Sequence, residues 1–264
     1  MKYKYTYTVQ YQDVDADRRL RLHTLENYLL NVAGRVADEL GFGIPDLLPM
    51  GYTWIITRLN LEMLYLPCHG EVLTIETWIE QDAHMLSVRD YRIYIRQADG
   101  SDTLLGIAKS VWAVLDLEKR EIVNVFDQPM FAGAVDGEVL QIAKPVRLLP
   151  IHVDEVRLLP DTLSADSVPH TIQYSDVDYN RHCNSCRYLE WMLNACTWHH
   201  TDRPFRMDIN YVKELHLGEQ MHTHFVQTDH SIHYQQTDEH GNSCCTALIS
   251  KIENLDCPYS SRCS

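Results

Sequence analysis

Long apolar runs are missing from this sequence of 264 residues. No stretch approaches the roughly 18 apolar residues that a transmembrane helix needs. The first residues, MKYKYTYTVQYQD, alternate polar and aromatic side chains. They lack the apolar centre of a signal peptide and are typical of a first strand. We therefore expect a cytoplasmic protein that is neither exported nor inserted in a membrane.

Positive charge is also scarce, because 23 Lys and Arg stand against 37 Asp and Glu, for a formal net charge of −14. Nucleic acids and acidic membrane surfaces attract basic proteins, so neither is an expected partner. An acidic protein partner would need a local basic patch. The candidates are Arg18, Arg19 and Arg21, or Arg181 and Arg187; ordinary solvated surface charge is the alternative for each.

The sequence lacks the fingerprints of several enzyme classes. It has no G-x-S-x-G, no Walker loop and no glycine-rich dinucleotide motif. Cys183 and Cys186 have the spacing of a zinc or redox pair, but no second pair of that spacing completes such a site. We therefore expect neither a metal nor a cofactor.

The eight cysteines do not suggest a disulfide framework, although their number is even. Such frameworks support short secreted chains with small cores, whereas this chain is long and 45% hydrophobic. The cysteines also cluster late in the sequence, and Cys244 and Cys245 are adjacent. Reduced thiols are the expectation.

An internal repeat is the strongest feature that is present. Residues 11–34 align without a gap on residues 174–197, at an offset of 163, and the tripeptide Asp-Val-Asp at 13–15 recurs at 176–178. A helical pattern follows in both copies. Its apolar face comprises Leu25, Tyr28, Leu29, Val32, Ala33 and Val36 in the first copy, and Tyr188, Trp191, Met192, Ala195 and Cys196 in the second.

The repeat continues into strands. Residues 58–73 align on 206–221 at an offset of 148, so the second copy is shorter between its helix and its next strand. Alternating or β-branched segments follow at 72–79, 87–95 and 107–117, and again at 221–228, 231–237 and 244–252. Strands around one long helix predict an α+β domain. The duplication predicts a pseudo-two-fold pair within one chain.

The proline distribution suggests where the two copies are joined. Five of the ten prolines fall between Pro129 and Pro169. We therefore predict an N-terminal domain over residues 1–128, a linker over 129–165 and a C-terminal domain over 166–264.

Three segments carry a resemblance to a known family. SDVDYNRHCNSCRYLEW resembles the S-D-L-D-x-N-x-H-x-N-N-x-x-Y motif of the acyl-acyl carrier protein (acyl-ACP) thioesterases of bacteria and plant plastids. INYVKELHLGE resembles that family's later E-Y-R-R-E-C segment, and SVWAVLDLEKREIV resembles its W-x-x-x-D-x-x-x-R strand and turn. The resemblance spans about residues 3 to 252 and implies a double hotdog fold, in which each of two tandem domains wraps an antiparallel sheet around a long helix.

The resemblance also implies a function and a site. The family hydrolyses the thioester between a fatty acyl chain and the phosphopantetheine arm of the carrier protein, which ends fatty acid synthesis. Its functional residues correspond to Asp178, Asn180, His182 and Glu214, in the C-terminal domain, while the N-terminal domain would bind the acyl chain. Many plant members have a cysteine after the glutamate, but this chain has Leu215, so a covalent cysteine mechanism at that position is not available.

These residue types suit thioester hydrolysis. A thiolate leaves with little acid assistance, so one base and good electrostatics suffice. Imidazoles as a class titrate near neutral pH, which makes His182 a candidate base, and Glu214 would orient it or share that role. The amide of Asn180 would hold water or polarise the carbonyl. A helix starting near Asn184 would direct its N–H groups toward an oxyanion.

The repeat separates candidate catalysts from scaffold. Asn180, His182 and Glu214 align with Asp17, Arg19 and Leu66, which cannot perform the same chemistry. We therefore expect one active site per chain. The aspartates are shared by both copies, so Asp176 is interpreted as a turn or cap residue, whereas Asp178 is either structural or functional.

Four alternatives stay open. An acyl-CoA thioesterase would use the same fold and chemistry with another carrier. A non-catalytic acyl-chain sensor would bind acyl groups without turnover. A hotdog dehydratase fits the motif less well. Cys183 as a nucleophile is disfavoured, since sequence neighbours on a loop, such as His182 and Cys183, rarely face each other.

The chain could also form a homodimer beyond its internal pairing.

Overall fold

The computed structural model describes residues 1–83, 85–124, 129–142, 147–149, 151, 163–164, 167–199 and 201–253. The first half contains β1 (Tyr3–Thr8), β2 (Tyr52–Met63), β3 (Val72–Ala83), β4 (Leu86–Arg96), β5 (Asp102–Asp116) and β6 (Glu121–Val123). The second half contains β7 (Leu163–Ser164), β8 (Val168–Thr171), β9 (Phe205–Tyr211), β10 (Gln220–Gln227), β11 (Ser231–Asp238) and β12 (Ser243–Lys251). The helices are α1 (Leu22–Glu39), α2 (Ile44–Leu47) and α3 (Ser185–Ala195).

One antiparallel sheet runs through both halves. Its order is β1-β3-β4-β5-β2-β9-β12-β11-β10-β7, with β6 beside β5 and β8 beside β10. The halves join where β2 pairs with β9, and Leu59 lies opposite Ile209 at that junction. The predicted strands are all present, mostly extended by a few residues. The predicted α+β architecture, with duplicated antiparallel sheets, is confirmed.

The long helices α1 and α3 pack against one face of this sheet and against each other. The apolar stripe predicted for α1 is fully buried, whereas that of α3 is buried as far as Met192. A single core connects helix residues such as Leu29 and Leu189 with strand residues such as Ile93 and Ile209. Removal of one such side chain costs about 2–5 kcal/mol. None of the described helices is long and apolar enough to cross a membrane.

Residues 129–142 pack on the first half in two places, with Phe131 and Ala134 against Phe42 and Ile79, and with residues 140–142 on the opposite face of the sheet. Trp78 packs there with Leu140 and Ile142. Lys109 is buried between the carboxylates of Glu80 and Asp90, and the second oxygen of Asp90 accepts a hydrogen bond from the Leu140 N–H at 2.9 Å. The beginning of the predicted linker therefore packs on the first domain. Much of the rest of that linker lies outside the described residues, and the domain boundaries stay a prediction.

The cysteines differ from the expectation at one position. Cys68 is disulfide-bonded, so the expectation that all cysteines are reduced is wrong there. The free thiols among the described residues are Cys183, Cys186, Cys196, Cys244 and Cys245. Most of these are buried in the core, where burial raises the pKa of each thiol. They behave as small apolar residues.

Candidate active site

The loop that precedes α3 is held closed by its own backbone. A 3₁₀ turn at Tyr174–Asp176 opens it, and Oδ2 of Asp176 accepts a hydrogen bond from the N–H of Gln173 at 2.8 Å. The Asn184 N–H donates to the carbonyl of Asp176 at 2.8 Å, and Val177 pairs with Cys183. Asp176 is buried and acts as a turn residue, in agreement with its interpretation from the sequence.

Asp178 organises the tip of the same loop. Its Oδ1 accepts hydrogen bonds from the N–H groups of Asn180, at 2.8 Å, and His182, at 3.4 Å. Its own N–H donates to the carbonyl of His182 at 2.8 Å. Burial raises the pKa of Asp178, against the effect of these hydrogen bonds. The geometry gives Asp178 a structural role, and its direct participation in catalysis stays a prediction.

His182 and Glu214 meet across two segments of the chain. The Nδ1 of His182 lies 3.5 Å from Oε1 of Glu214, and both side chains are partly exposed. Their proximity is set by the backbone, because the N–H of Cys183 donates to the carbonyl of Leu215 at 2.7 Å. The ring of His216 lies edge-on to His182, with 4.8 Å between centroids. The carboxylate is placed to orient the imidazole.

Arg120 contacts this pair from the first half of the chain, although the sequence did not indicate it as a site residue. Its Nη2 lies 2.6 Å from Oε2 of Glu214. Arg120 occupies the left-handed region, with φ of 58°, in the turn after β5, where Asp116 accepts the N–H groups of residues 118 and 119. The signal was the W-x-x-x-D-x-x-x-R pattern, which here is Trp112, Asp116 and Arg120. The site is therefore built by both halves.

Asn180 and His182 border a cleft of about 250 Å³. The remaining lining residues are Leu48, Thr53, Leu117, Tyr179 and Arg181. Leu48, Thr53 and Leu117 belong to the first half of the chain, as Arg120 does. The cleft thus brings a polar loop of one half against an apolar rim of the other.

An apolar cavity of about 370 Å³ adjoins the cleft, and Tyr179 lines both. Its walls come from α1, α2 and the strands β2 to β5 of the first half. The apolar lining residues include Leu30, Ala33, Ala37, Phe42, Ile44, Pro45, Trp54, Ile79 and Trp112. The segment 40–51, which makes the first copy longer than the second, provides three of them. This arrangement suits an aliphatic chain whose polar end faces His182.

The start of α3 differs in part from the expectation. The helix begins at Ser185, close to Asn184 as predicted, and Asn184 is its N-cap. However, Oδ1 of Asn184 accepts the N–H of Cys186 at 3.0 Å, and the carbonyl of Asn184 accepts the N–H of Arg187 at 2.9 Å. These two donors are already occupied. The expectation that they serve an oxyanion is wrong for both.

Cysteine chemistry finds no support at this site. Cys183 is buried, and burial raises the pKa of its thiol to about 12, which suppresses the nucleophilic thiolate. Leu215 is also buried, as an apolar side chain beside Glu214. Within the part of the chain that the structure describes, no three His, Cys, Asp or Glu side chains are arranged to hold a metal ion.

Comparisons with known proteins agree with these features. Residues 1–130 match the acyl-ACP thioesterase N-terminal domain, and residues 162–251 match the acyl-ACP thioesterase C-terminal domain. Among curated relatives, the palmitoyl-acyl carrier protein thioesterase of Arabidopsis thaliana is 26% identical over 205 residues, covering 73% of this chain and 47% of the relative. The oleoyl-acyl carrier protein thioesterase of Coriandrum sativum is 23% identical, covering 74% and 54%. The chain spans about half the length of these chloroplastic relatives.

Solved structures give the same result over nearly the whole chain. An acyl-ACP thioesterase from Bacteroides thetaiotaomicron superposes with a TM-score of 0.79 at 26% identity, covering 94% of this chain and 97% of that one. The 12:0-ACP thioesterase of Umbellularia californica has a TM-score of 0.77 at 16% identity, covering 94% and 96%. The second likeness shows the fold alone. The double hotdog fold is confirmed, and the chain belongs to the acyl-ACP thioesterase family.

Proposed function

We propose that this protein hydrolyses fatty acyl-ACP to a free fatty acid and the carrier protein, and so ends fatty acid synthesis. The observation that carries the proposal is the His182–Glu214 pair, which lies beside a cleft that adjoins an apolar cavity. Family membership supports the same reaction.

His182 is the proposed general base. With Nδ1 directed at Glu214, Nε2 can take a proton from water in the cleft. The water oxygen bonds to the acyl carbon, the C–S bond breaks and the departing thiolate recovers the proton. Glu214 orients the ring and stabilises the imidazolium that forms, while Arg120 holds the second oxygen of that carboxylate.

Asn180 is proposed to stabilise the reacting oxygen. Its backbone N–H is fixed by Asp178, and the residue lines the cleft beside His182. The side-chain amide of Asn180, rather than this backbone N–H, is the group that we propose donates to the developing oxyanion. In this proposal the first domain binds the acyl chain and the second performs the chemistry.

The carrier protein is proposed to dock on local basic residues near the loops. Arg18, Arg21 and Arg181 are exposed and suit this role. Arg19 is only 8% exposed, so its inclusion among the docking candidates is wrong. Arg187 is paired with Glu190 and is less suited. If docking depends on these charges, raising the ionic strength will raise KM for acyl-ACP, and an unchanged KM would contradict this docking site.

The test is free thiol release from matched panels of acyl-ACP and acyl-CoA, with His182→Ala beside the native protein. We expect faster release from acyl-ACP and loss of release in the variant. Equal or faster release from acyl-CoA would contradict the carrier assignment but keep the mechanism. Acyl binding without any release would favour the sensor. Cytoplasmic location and homodimer formation stay predictions, to be tested by cell fractionation and light scattering.

A further inference from the structure

Arg89 is a buried cation in the wall of the apolar cavity. It lies on β4 opposite Ile79 of β3, is 4% exposed and lines the cavity. Its Nη1 is enclosed and has no hydrogen-bond acceptor. Among the described residues, the guanidinium forms no side-chain hydrogen bond and no ion pair. Burial lowers the pKa of Arg89, but a guanidinium remains charged in proteins.

The other arginines of β4 show that this is unusual for the strand. Arg92, on the opposite face, is paired with Glu76 at 3.2 Å and with Glu138. Arg96, at the strand end, is paired with Asp102 at 2.6 Å. Only the arginine that faces the cavity is left without a carboxylate among the described residues.

Polar groups around Arg89 form a patch within the apolar wall. Ser87 is on the same face of β4, is buried and also lines the cavity. Ser110 lies opposite Arg89 on β5, and its hydroxyl is bonded to Tyr91 at 3.0 Å and to the indole N–H of Trp112 at 2.7 Å. The other charged lining residue, Asp38, is exposed and forms no ion pair with Arg89.

A charge in this position is costly for a cavity that receives only hydrocarbon. Burying a charged group without a partner costs several kcal/mol, and a plain acyl chain offers no compensation. A ligand oxygen would replace the lost hydration with charge-assisted hydrogen bonds. The free-energy cost of burying the Arg89 charge is therefore offset only when the bound ligand carries such an oxygen.

We infer that the cavity selects acyl chains that carry an oxygen function remote from the thioester, and that Arg89 is the residue that recognises it. The oxygen can be a hydroxyl, an oxo group or a terminal carboxylate, since each accepts a hydrogen bond from a guanidinium. A carboxylate benefits most, because it also neutralises the charge. This inference rests on the proposed thioester hydrolysis and specifies its substrate class.

The first test needs only the native protein. Thiol release is measured from acyl-ACP panels of matched length, in which each saturated chain is compared with its terminal hydroxy and terminal carboxy forms. We expect kcat/KM to be about 10- to 100-fold higher for an oxygenated chain at the length that reaches Arg89. Higher rates for the saturated chain at every length would overturn the inference.

The variant test uses Arg89→Met, which keeps an unbranched side chain of about the length of the arginine's aliphatic stem and removes the charged head group. We expect the preference to reverse in favour of the saturated chain. Arg96→Met is the matched control, because it makes the same change on the same strand outside the cavity, and it should keep the native preference. If Arg89→Met merely lengthens the saturated chains accepted, Arg89 is a steric stop and the inference fails.

A binding measurement separates this inference from the proposed activity. Displacement of a fluorescent fatty acid from His182→Ala protein is compared for dodecanoate, 12-hydroxydodecanoate and dodecanedioate. Tighter binding of the oxygenated compounds, lost in the double variant with Arg89→Met, would support the inference even without turnover. Equal affinity for all three would overturn it, whatever the panel shows about hydrolysis.

Discussion

In the first half, Asp15 holds the loop before α1, and in the second half Asp178 holds the loop before α3. Each Oδ1 accepts two backbone N–H groups, from Asp17 and Arg19 in one loop and from Asn180 and His182 in the other. Each loop also has an arginine with positive φ, 63° at Arg18 and 65° at Arg181. Each loop is tied to the following segment by a 2.7 Å hydrogen bond, from Leu20 to Pro67 and from Cys183 to Leu215.

The side chains on these equivalent backbones differ in kind. Arg19 is buried and donates to the carbonyl of Leu66 at 3.1 Å. At the same positions of the second loop, the imidazole of His182 faces the carboxylate of Glu214. In the first loop the arginine side chain is therefore bound to a backbone carbonyl. In the second loop the His182–Glu214 pair borders a cleft. The duplicated scaffold is shared, and the chemistry depends on a few substitutions.

The two halves differ as well in where they leave space. Between helix and next strand, the first half has the extra segment that includes α2, and this segment lines both the apolar cavity and the cleft. Among its described residues the second half has no counterpart of that segment, and its helix is shorter. The half without the catalytic side chains is thus the half that contains the cavity. Each half needs the other to form a complete site.

The largest effect on kcat is expected from replacing His182, the candidate base in the second loop. His182→Ala should lower kcat by about 1000-fold, because the general base is removed, with little change in KM. Arg19→Ala makes the equivalent change in the other loop and should leave kcat unchanged in protein that is folded by circular dichroism. An equal loss of kcat in both variants would show that loop integrity, rather than the imidazole, is responsible.

A second difference between the copies is Glu26, whose counterpart on α3 is Leu189. Glu26 is fully buried, is hydrogen-bonded by Tyr211, and burial raises its pKa to about 7. Because the folded state holds the proton more tightly than the unfolded state, stability falls as pH rises from about 4.5 to 7. Glu26→Gln should remove this loss, about 3 kcal/mol at higher pH.

Urea unfolding of native protein and Glu26→Gln at pH 5 and pH 8 measures this effect. Exposed Glu118→Gln is the matched control and should keep the native pH dependence. Parallel pH profiles for native protein and Glu26→Gln would show that Glu26 does not titrate differently on folding.

Asp15 and Asp178, which occupy the same position in the two loops, allow the structural and catalytic roles of the loops to be measured separately. Asp15→Ala and Asp178→Ala each remove the acceptor of two backbone N–H groups, so each should lower the free energy of unfolding by about 1–3 kcal/mol. Only Asp178→Ala should also lower kcat, since only its loop carries His182. Thermal unfolding and thiol release on both variants provide the measurement. Loss of kcat in Asp15→Ala at unchanged folding would contradict the division of roles.

The smallest expected effect is at Arg120, which joins the first half to the catalytic pair. Its partly exposed ion pair with Glu214 contributes at most about 1 kcal/mol to stability. Arg120→Gln should lower kcat by about 3- to 10-fold, because the carboxylate then orients His182 less well. Lys119→Gln, at the exposed neighbouring position, should leave kcat unchanged. A change in KM alone would assign Arg120 to substrate binding instead.

Much of the fold follows from local sequence patterns. The period of the apolar residues predicted α1 and α3, and alternation of apolar and polar residues predicted the strands. Both predictions succeed because an element that buries one face must place its apolar residues at that element's own period. The repeat indicated that Asp176, which both copies share, is a turn residue, and that His182, which only the second copy has, is a candidate catalyst. The family motif identified Glu214 as its candidate partner. The repeat also indicated that the first copy is longer before its second strand.

The sequence did not predict which charged residues are buried. Arg19 was expected on the surface, which is the usual place for an arginine, yet it is buried against Leu66. Glu26 lies beside the apolar stripe of α1 and is buried with it, which a charged residue at that position does not indicate. The sequence shows charge, but it does not show which face of a neighbour covers that charge.

The sequence by itself determined the duplicated α+β architecture and the identity of the candidate catalytic pair, because periodicity and motif are local properties. Only the tertiary structure decided that Arg120 meets Glu214 and that Arg89 faces the cavity without a carboxylate among the described residues. These contacts depend on how distant strands pair and pack. Their energies arise from partners and burial that no single segment contains.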